Sequence, residues 1–270
     1  MQPVTLRILR PLIAAFVVLT LVYLILPTFV VVPLSFSAQD YLSFPPQGFS
    51  MKWYERLAAN PLWMNAAINS LIIGIPTAVL SMILGTLGAL AVVRGSFARA
   101  SLVSAIMVAP MMLPHVILAI GLYPVMLELG LLRTHLAAIV GHTVVGMPLV
   151  FITVVASLRS YSGALELAAM TCGANLWQTF WKVTFPMIRP GVIVGGILAF
   201  ASSFDELMLS LFLTGATTRT LPRLMWEQMA DFLTPVIAAA ASLVFVFSLV
   251  LLGVVALVQK RQGMSGGAHG

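Results

Sequence analysis

Charged side chains are scarce in this chain. Only 14 Lys and Arg and 8 Asp and Glu occur among 270 residues, so 8% of the chain is charged while 60% is hydrophobic. A soluble domain carries roughly a quarter charged residues. This scarcity excludes a soluble domain and predicts a polytopic membrane protein.

Cysteine is nearly absent, and one nucleotide-binding motif is missing. Cys172 is the single cysteine, which excludes an internal disulfide and a thiolate cluster for a metal. The pattern Gly-x-x-x-x-Gly-Lys-Ser/Thr does not occur, so the chain lacks the phosphate-binding loop of an ATPase. We therefore expect no catalytic residue, no metal and no cofactor on this chain.

Long apolar intervals are abundant instead. Each can hold the roughly 20 apolar residues that cross a bilayer as a helix, and the need to satisfy backbone hydrogen bonds in lipid favours helices. We predict an all-α membrane protein with one domain over residues 1–270. Its six transmembrane helices are expected at about residues 12–34, 66–93, 101–127, 135–157, 191–213 and 235–258. The first is too long for the apolar core of a removable signal peptide and is read as a retained span.

If both termini lie in the cytoplasm, most basic residues fall on the cytoplasmic side of the membrane. Nine of the fourteen then lie inside, opposed there by Glu166 alone. These nine are Arg7, Arg10, Arg94, Arg99, Arg159, Lys182, Arg189, Lys260 and Arg261. The other five lie in outer loops that carry five acids, as the positive-inside rule expects. The net charge of +6 is thus a consequence of topology and leaves no basic stripe for a nucleic acid.

Prolines inside the spans predict irregular helices. Pro110 and Pro114 remove backbone donors in the third span and predict a kink or an unwound turn there. His115 beside them is either a ligand or proton carrier or, as lone histidines more often are, bonded to a freed carbonyl or a neighbouring helix. His142 in the fourth span, near Pro148, is read structurally on the same grounds.

A polar, basic segment at residues 159–190 interrupts the apolar pattern. Apolar and small residues recur in it at three- and four-residue steps, which predicts a helix face. Gly173 then turns the chain, and a second short helix follows until Pro186 ends it. The helix pair would form a rigid knob on the cytoplasmic side, suited to transmitting force.

This segment carries a family resemblance. Its run GALELAAMTCGANLWQTFWKVTFPMIRPG resembles the signature loop of ABC importer permeases. Further matching pieces follow the family's order: FPPQGFSMKWY, MMLPHVILAIGL, HTVVGMPLVF, AFASSFDELMLSLFLTG and TLPRLMW. Together they resemble the smaller permease of the spermidine/putrescine family over nearly all 270 residues.

The resemblance implies the type I ABC importer permease fold and a role for the knob. In such families this loop docks in a groove of the ATPase subunit. That coupling role falls here on Glu166, Leu167, Ala168, Ala169, Gly173 and Pro186. Leu167 stands where the family pattern has glutamate, so that contact is either absent or made from Glu166. Phe185 likewise replaces a usual leucine.

The resemblance also implies partners. The chain would be a transport subunit and not an enzyme, because ATP and Mg²⁺ would bind to two separate ATPase subunits. A second permease, heterologous to this one, and an extracytoplasmic solute-binding protein complete the expected assembly in the lipid bilayer of a bacterial inner membrane. ATP-driven closure of the ATPases would move the knob and switch the spans between inward-open and outward-open states.

Two acids stand out in the fifth predicted span. Asp205 and Glu206 fall in the outer third of the hydrocarbon core, where a carboxylate is costly and by default a functional candidate. For a polyamine they would accept ammonium groups, with Tyr123 or Trp226 as cation–π partners. The alternative is that the pair caps the span or holds a neighbouring helix.

Three other functions compete with polyamine import. The same architecture could import an organophosphonate, ferric iron or an amino-acid-like compound. An ion-coupled secondary transporter is disfavoured because no inverted repeat is visible. A membrane enzyme using His115, His142 and Asp205 is disfavoured because the sequence shows no close cluster of catalytic residues.

Overall fold

A computed structural model describes residues 4–95, 99–231 and 234–266, and the described residues form helices and connecting turns without a β-strand. The helices are α1 Val4–Leu34, α2 Lys52–Ala59, α3 Pro61–Val93, α4 Ala100–Met112, α5 His115–Glu128, α6 His135–Arg159, α7 Ala164–Thr171, α8 Leu176–Thr179, α9 Phe185–Phe204, α10 Met208–Leu213, α11 Leu221–Asp231 and α12 Pro235–Gly266. A π-helical turn, Phe180–Thr184, joins α8 to α9. The all-α prediction is confirmed.

The chain divides into two compact units. The first comprises residues up to 61 together with 227–246, and the second comprises 62–226 together with residues from 247 onward. The prediction of a single domain over residues 1–270 stays a prediction.

In the first unit, α1 carries an apolar surface on all sides. Phe16 and Tyr23 are 70% and 74% exposed, which suits a helix whose neighbour is lipid. The loop that follows packs on Trp53 of α2, whose side chain is buried and donates from Nε1 to the carbonyl oxygen of Ser37 at 2.7 Å. Tyr54 adds a hydrogen bond of 2.6 Å to Ser35, so α2 is held against the end of α1.

The second unit is built on the contact between α6 and α9. Val150, Val154 and Leu158 of α6 are fully buried in a core that includes Ile188 of α9. Small residues on α9 make this approach possible, because a Cβ at Gly195 would lie 2.7 Å from the Cα of Val150. Glycine faces of this kind let membrane helices pack closely.

The third predicted span is broken. Residues 101–127 form two helices, α4 and α5, that meet at 104°. Pro114 causes the break, because a residue before proline avoids the α conformation, and Leu113 is indeed extended with ψ 136°. Pro110, by contrast, is accommodated within α4. Five described helices are long and apolar enough to cross a membrane, or six if the bent pair counts as one span.

The region of the fifth span also differs from expectation. Pro186 does not end the second helix of the knob: a helical segment runs from Leu176 to Phe204 without interruption. An α-helix would press the proline ring against the carbonyl four residues back. The wider π turn lies directly before it, where the N–H of Phe185 bonds the carbonyl oxygen of Phe180, and gives the ring room. At its other end α9 stops at Phe204, and α10 begins only at Met208.

Candidate functional site

A cavity of about 580 Å³ opens beside the break between α9 and α10. Its polar lining comes from His115 at the start of α5, from Asp205 and Glu206 in the break, and from Ser202 and Ser248. Its remaining lining residues are apolar. The structure therefore brings both predicted acids into one cavity and adds a histidine and two serines to them.

The two adjacent acids have different surroundings. Glu206 is buried, with its side chain 5% exposed, and its Oε2 lies 2.7 Å from Nδ1 of His115. Its Oε1 accepts a hydrogen bond of 3.1 Å from the backbone N–H of Leu209, in the first turn of α10. Asp205 is exposed to the cavity, and its carboxylate makes no hydrogen bond or ion pair with any described residue. Asp205 is thus the acid that is open to a solute.

His142 is a structural residue, as the sequence favoured. It is fully buried and lies between the hydroxyl of Ser203, 2.8 Å from Nδ1, and that of Ser210, 3.3 Å from Nε2. Ser210 gives its only proton to the carbonyl oxygen of Glu206 at 2.8 Å, so it accepts from Nε2–H, and Nδ1 accepts from Ser203. The imidazole ties α6 to α9 and α10 and holds the backbone of Glu206.

The two predicted aromatic partners lie elsewhere. Tyr123 lines a separate cavity of about 270 Å³ that also holds Arg133 and Arg223, a lining that does not favour an ammonium group. Trp226 is half-exposed on α11 and is not among the residues that line either cavity. The structure does not bring these rings together with Asp205 and Glu206. Their role in the solute path stays a prediction.

The knob formed by α7, α8 and the turn between them is anchored through Glu166. Its carboxylate lies 2.9 Å from Nε of Arg94, accepts a hydrogen bond of 2.5 Å from the hydroxyl of Tyr161, and accepts another of 2.9 Å from Thr184. Arg94 also donates to the carbonyl oxygen of Leu158 at 3.2 Å. One carboxylate therefore connects α7 to the end of α3, the loop after α6 and the π turn.

These contacts determine the charge state of the Glu166 carboxyl group. Burial opposes ionisation of Glu166, but the hydrogen bonds from Tyr161, Thr184 and Arg94 outweigh it and lower the pKa of the carboxyl. Burial, together with the neighbouring carboxylate, raises the pKa of Tyr161. The guanidinium of Arg94 lies 4.9 Å above the Tyr161 ring, which adds a cation–π contact to the ion pair.

Leu167 points the other way. It is 63% exposed; Ala168 and Pro186 are also exposed, while Ala169 is half-buried. Leu176 and Trp177 of α8 are 78% and 70% exposed. The outer surface of the knob is therefore apolar where the family pattern has a carboxylate. Periodicity alone did not distinguish the inward Glu166 from the outward Leu167, because the partners of Glu166 all lie outside α7 and one of them, Arg94, is far away in the sequence.

Gly173 has the conformation that the sequence predicted for a turn. Its φ is +90°, in the region that L-residues avoid, and a Cβ there would meet nothing within 4 Å. The backbone N–H of Ala174 bonds the carbonyl oxygen of Ala169 across the turn at 3.1 Å. Asn175 then caps α8 reciprocally with Gln178, so the turn between the two helices has a fixed geometry.

No group of three or more His, Cys, Asp or Glu side chains placed to hold a metal occurs within the part of the chain that the structure describes.

Comparison with known proteins agrees with the geometry of an anchored helical knob on an apolar helical unit. The family described as binding-protein-dependent transport system inner membrane component matches residues 81–263, about two thirds of the chain. The chain belongs to this family. It is therefore a transport permease subunit with several membrane-spanning helices, and membership makes it a transport protein rather than an enzyme.

Individual relatives extend the match to nearly the whole permease. The spermidine/putrescine transport system permease protein PotC of Haemophilus influenzae is 30% identical over 248 residues, which are 92% of this chain and 96% of that protein. The putrescine transport system permease protein PotI of Escherichia coli is 32% identical over 208 residues, 73% of each chain. Both fall within the resemblance that the sequence motifs indicated.

A solved structure confirms the fold. A chain from the crystal structure of a bacterial ABC transporter involved in the import of the acidic polysaccharide alginate superposes with a TM-score of 0.71 and 18% identity, covering 94% of the permease and 96% of that chain. At this identity the likeness shows the fold alone. The predicted ABC importer permease fold is thereby confirmed.

Proposed function

We propose that this permease forms one half of the membrane pathway of a bacterial polyamine importer. The names of its relatives support this solute class, since two are permeases of spermidine/putrescine or putrescine systems. The observation that carries the proposal is the cavity with an unpaired, exposed Asp205, because a carboxylate of this kind attracts an ammonium group. Ser202 and Ser248 add hydroxyl oxygens that can accept from it.

The remaining parts of the machine are supplied by partners. In this proposal two ATPase subunits bind ATP and Mg²⁺ and contact the knob, and a second, heterologous permease completes the pathway. An extracytoplasmic binding protein delivers the solute. The assembly lies in the inner membrane of a bacterium. Both termini and the knob lie in the cytoplasm. The bias of nine of fourteen basic residues toward that side supports this orientation.

The test is uptake by the complete transporter. The permease is co-expressed with its ATPase, partner permease and binding protein, reconstituted in liposomes and given radiolabelled spermidine or putrescine. Asp205→Asn keeps the shape of the side chain and removes its charge, so we expect the uptake rate to fall by about tenfold or more, equal to about 1.4 kcal/mol, while the complex still assembles.

Glu128→Gln is the matched control, because it also neutralises an exposed acid but lies at the end of α5 and not in the cavity. Equal uptake by the parent and Asp205→Asn would remove Asp205 from the path. A parent complex that takes up an amino acid, an organophosphonate or ferric iron in place of either polyamine would assign the architecture to a different solute.

A further inference from the structure

Two helix breaks meet at one contact between a histidine and a carboxylate in the second unit. His115 is the first residue of α5, directly after the break at Pro114, and Glu206 lies in the break between α9 and α10. Their side chains approach to 2.7 Å, between Nδ1 and Oε2. Both breaks leave the chain irregular beside the cavity, and irregular backbone at membrane depth is tolerated where it borders a cavity.

The exposures of the two partners are unequal. The Glu206 side chain is 5% exposed and that of His115 is 40% exposed. Among the described residues, Oε2 of Glu206 has His115 as its partner, while Oε1 is satisfied by the backbone of Leu209. A buried carboxylate needs a compensating donor or cation, and here the compensating group is the imidazole of His115, which is partly exposed and lines the cavity.

A solute in the cavity would compete for the same oxygen. An ammonium group attracted by the open Asp205 would lie next to the His115–Glu206 pair, and Oε2 of Glu206 becomes available only if His115 leaves it. A contact with this second carboxylate would strengthen the binding of a cation. Breaking the contact between His115 and Glu206 would cost free energy and would therefore weaken that binding. The net preference then depends on whether the imidazole itself carries a charge.

We propose that His115 is an internal competitor of the transported cation: it occupies Glu206 when the cavity is empty and yields that carboxylate to the solute. The proposal rests on the proposed function, because it takes the solute to be a small organic cation. It assigns to His115 the role of setting the affinity of the cavity for that cation. Asp205 makes the first contact and Glu206 the second.

The charges around His115 support a pH-dependent competition. The titratable groups that face it are Asp205 and Glu206, with the buried His142 behind them held by Ser203 and Ser210. At the C-terminal end of α10, Arg223 donates to the carbonyl oxygen of Thr214 at 2.6 Å. The described part of α12 that lines the cavity contributes Ser248 and apolar residues.

Histidine is the side chain that ordinarily changes charge between about pH 5 and pH 8. An imidazolium binds Glu206 more strongly than a neutral ring and repels an incoming ammonium group. Acidification should therefore weaken solute binding through this pair, and alkalinisation should release Glu206 to the solute.

The experiment measures the KM for spermidine of the reconstituted complete transporter between pH 5.5 and pH 8, with the same pH on both sides of the membrane. The readout is the ratio of the parent KM to that of His115→Gln, whose amide stays neutral. One proton can change this ratio by at most about tenfold per pH unit. We expect the ratio to rise about threefold to tenfold from pH 8 to pH 5.5. Because both complexes contain the same ATPase and binding protein, the pH dependence of those subunits cancels in the ratio.

His135→Gln is the matched histidine control, since its imidazole bonds the side chain of Asn69 at 2.8 Å and does not line the cavity. Its KM profile should run parallel to that of the parent. A second variant, His115→Lys, keeps a cation beside Glu206 at every pH and should raise KM several-fold throughout the range.

The outcomes separate the two proposals. A constant ratio for His115→Gln in an assembled, transporting complex would show that His115 is a structural strut and would overturn this inference while leaving polyamine import intact. A parent complex that neither binds nor transports spermidine or putrescine at any pH would overturn the proposed function and this inference with it.

Discussion

Glu166 and Leu167 are neighbours on α7 whose side chains have opposite surroundings. The Glu166 side chain is 13% exposed and bound by Arg94, Tyr161 and Thr184, whereas Leu167 is 63% exposed on the outer surface of the knob. A carboxylate engaged by three donors has little capacity left for a contact with another subunit. We interpret Glu166 as the residue that positions the knob, and Leu167 as the one that presents an apolar contact.

Replacing Glu166 by Gln should loosen the knob. The amide cannot form the ion pair with Arg94, and charged hydrogen bonds of this kind contribute about 1.5–3 kcal/mol each. Because the site is partly solvated, we expect a smaller local effect of about 1–2 kcal/mol. Backbone amides at residues 160–185 should then exchange hydrogen for deuterium about tenfold faster in the purified complex. Glu128→Gln, at the exposed end of α5, is the control.

The same contact predicts a direction with pH. The partners lower the pKa of Glu166 below its ordinary value of 4.5. The stabilisation from the ionised carboxylate is therefore complete above that value and is lost as the pH falls through the lowered pKa of the folded protein. Backbone amides in the knob of the parent should thus be protected from exchange at neutral pH, and they should lose that protection only in strong acid. Equal protection in the parent and Glu166→Gln at pH 7 would contradict the positioning role.

Sequence reasoning reached the residues of both sites but not their contacts. It selected Asp205 and Glu206 because charge is rare in the spans, and it selected the knob because of its polarity. It did not show that Glu206 is paired, because His115 is far away in the sequence and reaches it only through the 104° break. It likewise placed Tyr123 with the acids, although that residue lines another cavity.

At the scale of helices, one proline in the predicted spans and knob marks a break, whereas others lie within a continuous helix. Pro114 stops α4 because Leu113 is extended, but Pro110 lies inside α4 and Pro186 lies near the start of α9. The difference depends on the neighbouring backbone: a π turn makes room for Pro186. Such a turn depends on packing around residues 180–184 and has no sequence pattern that we could recognise. The break at 205–207, which opens the cavity, was missed for the same reason.

Gly173 determines the angle between α7 and α8. Its φ of +90° is costly for any residue with a Cβ, by about 1–2 kcal/mol, and more for a β-branched side chain. Gly173→Val should therefore alter the turn and reduce solute-stimulated ATP hydrolysis or the recovery of the ATPase with the permease. Since a Cβ at this position meets no atom within 4 Å, the effect would come from backbone strain and not from a clash.

Gly173→Asn tests this distinction, because asparagine tolerates a positive φ better than other side chains with a Cβ. It should retain most of the coupling that valine loses. Normal co-purification and normal transport by Gly173→Val would show that the geometry of this turn is not needed for docking.

At the scale of the whole molecule, orientation is the property that connects the knob to its proposed partner. Family membership establishes a permease of the inner membrane but does not test which side the knob faces. Charge statistics place it inside, because Lys182, Arg189 and Arg159 lie in or beside it. An ATPase can reach the knob only from the cytoplasm, so the proposed mechanism requires this orientation.

The single cysteine provides a direct test of that orientation. Cys172 ends α7 within the knob and is exposed. A membrane-impermeant maleimide should label it in inside-out membrane vesicles and leave it unlabelled in intact spheroplasts, as read by a mass shift of the permease on a gel. Bound ATPase should reduce the labelling if the groove covers the knob.

A second cysteine position makes the result unambiguous. In a Cys172→Ser background, Ala216→Cys places a thiol at an exposed position of the turn after α10, predicted to lie outside. It should be labelled in spheroplasts and protected in inside-out vesicles, the reverse of Cys172. Labelling of Cys172 from outside would show that the topology is the reverse of the one proposed. Since no ATPase could then reach the knob, that result would overturn the coupling mechanism along with the orientation.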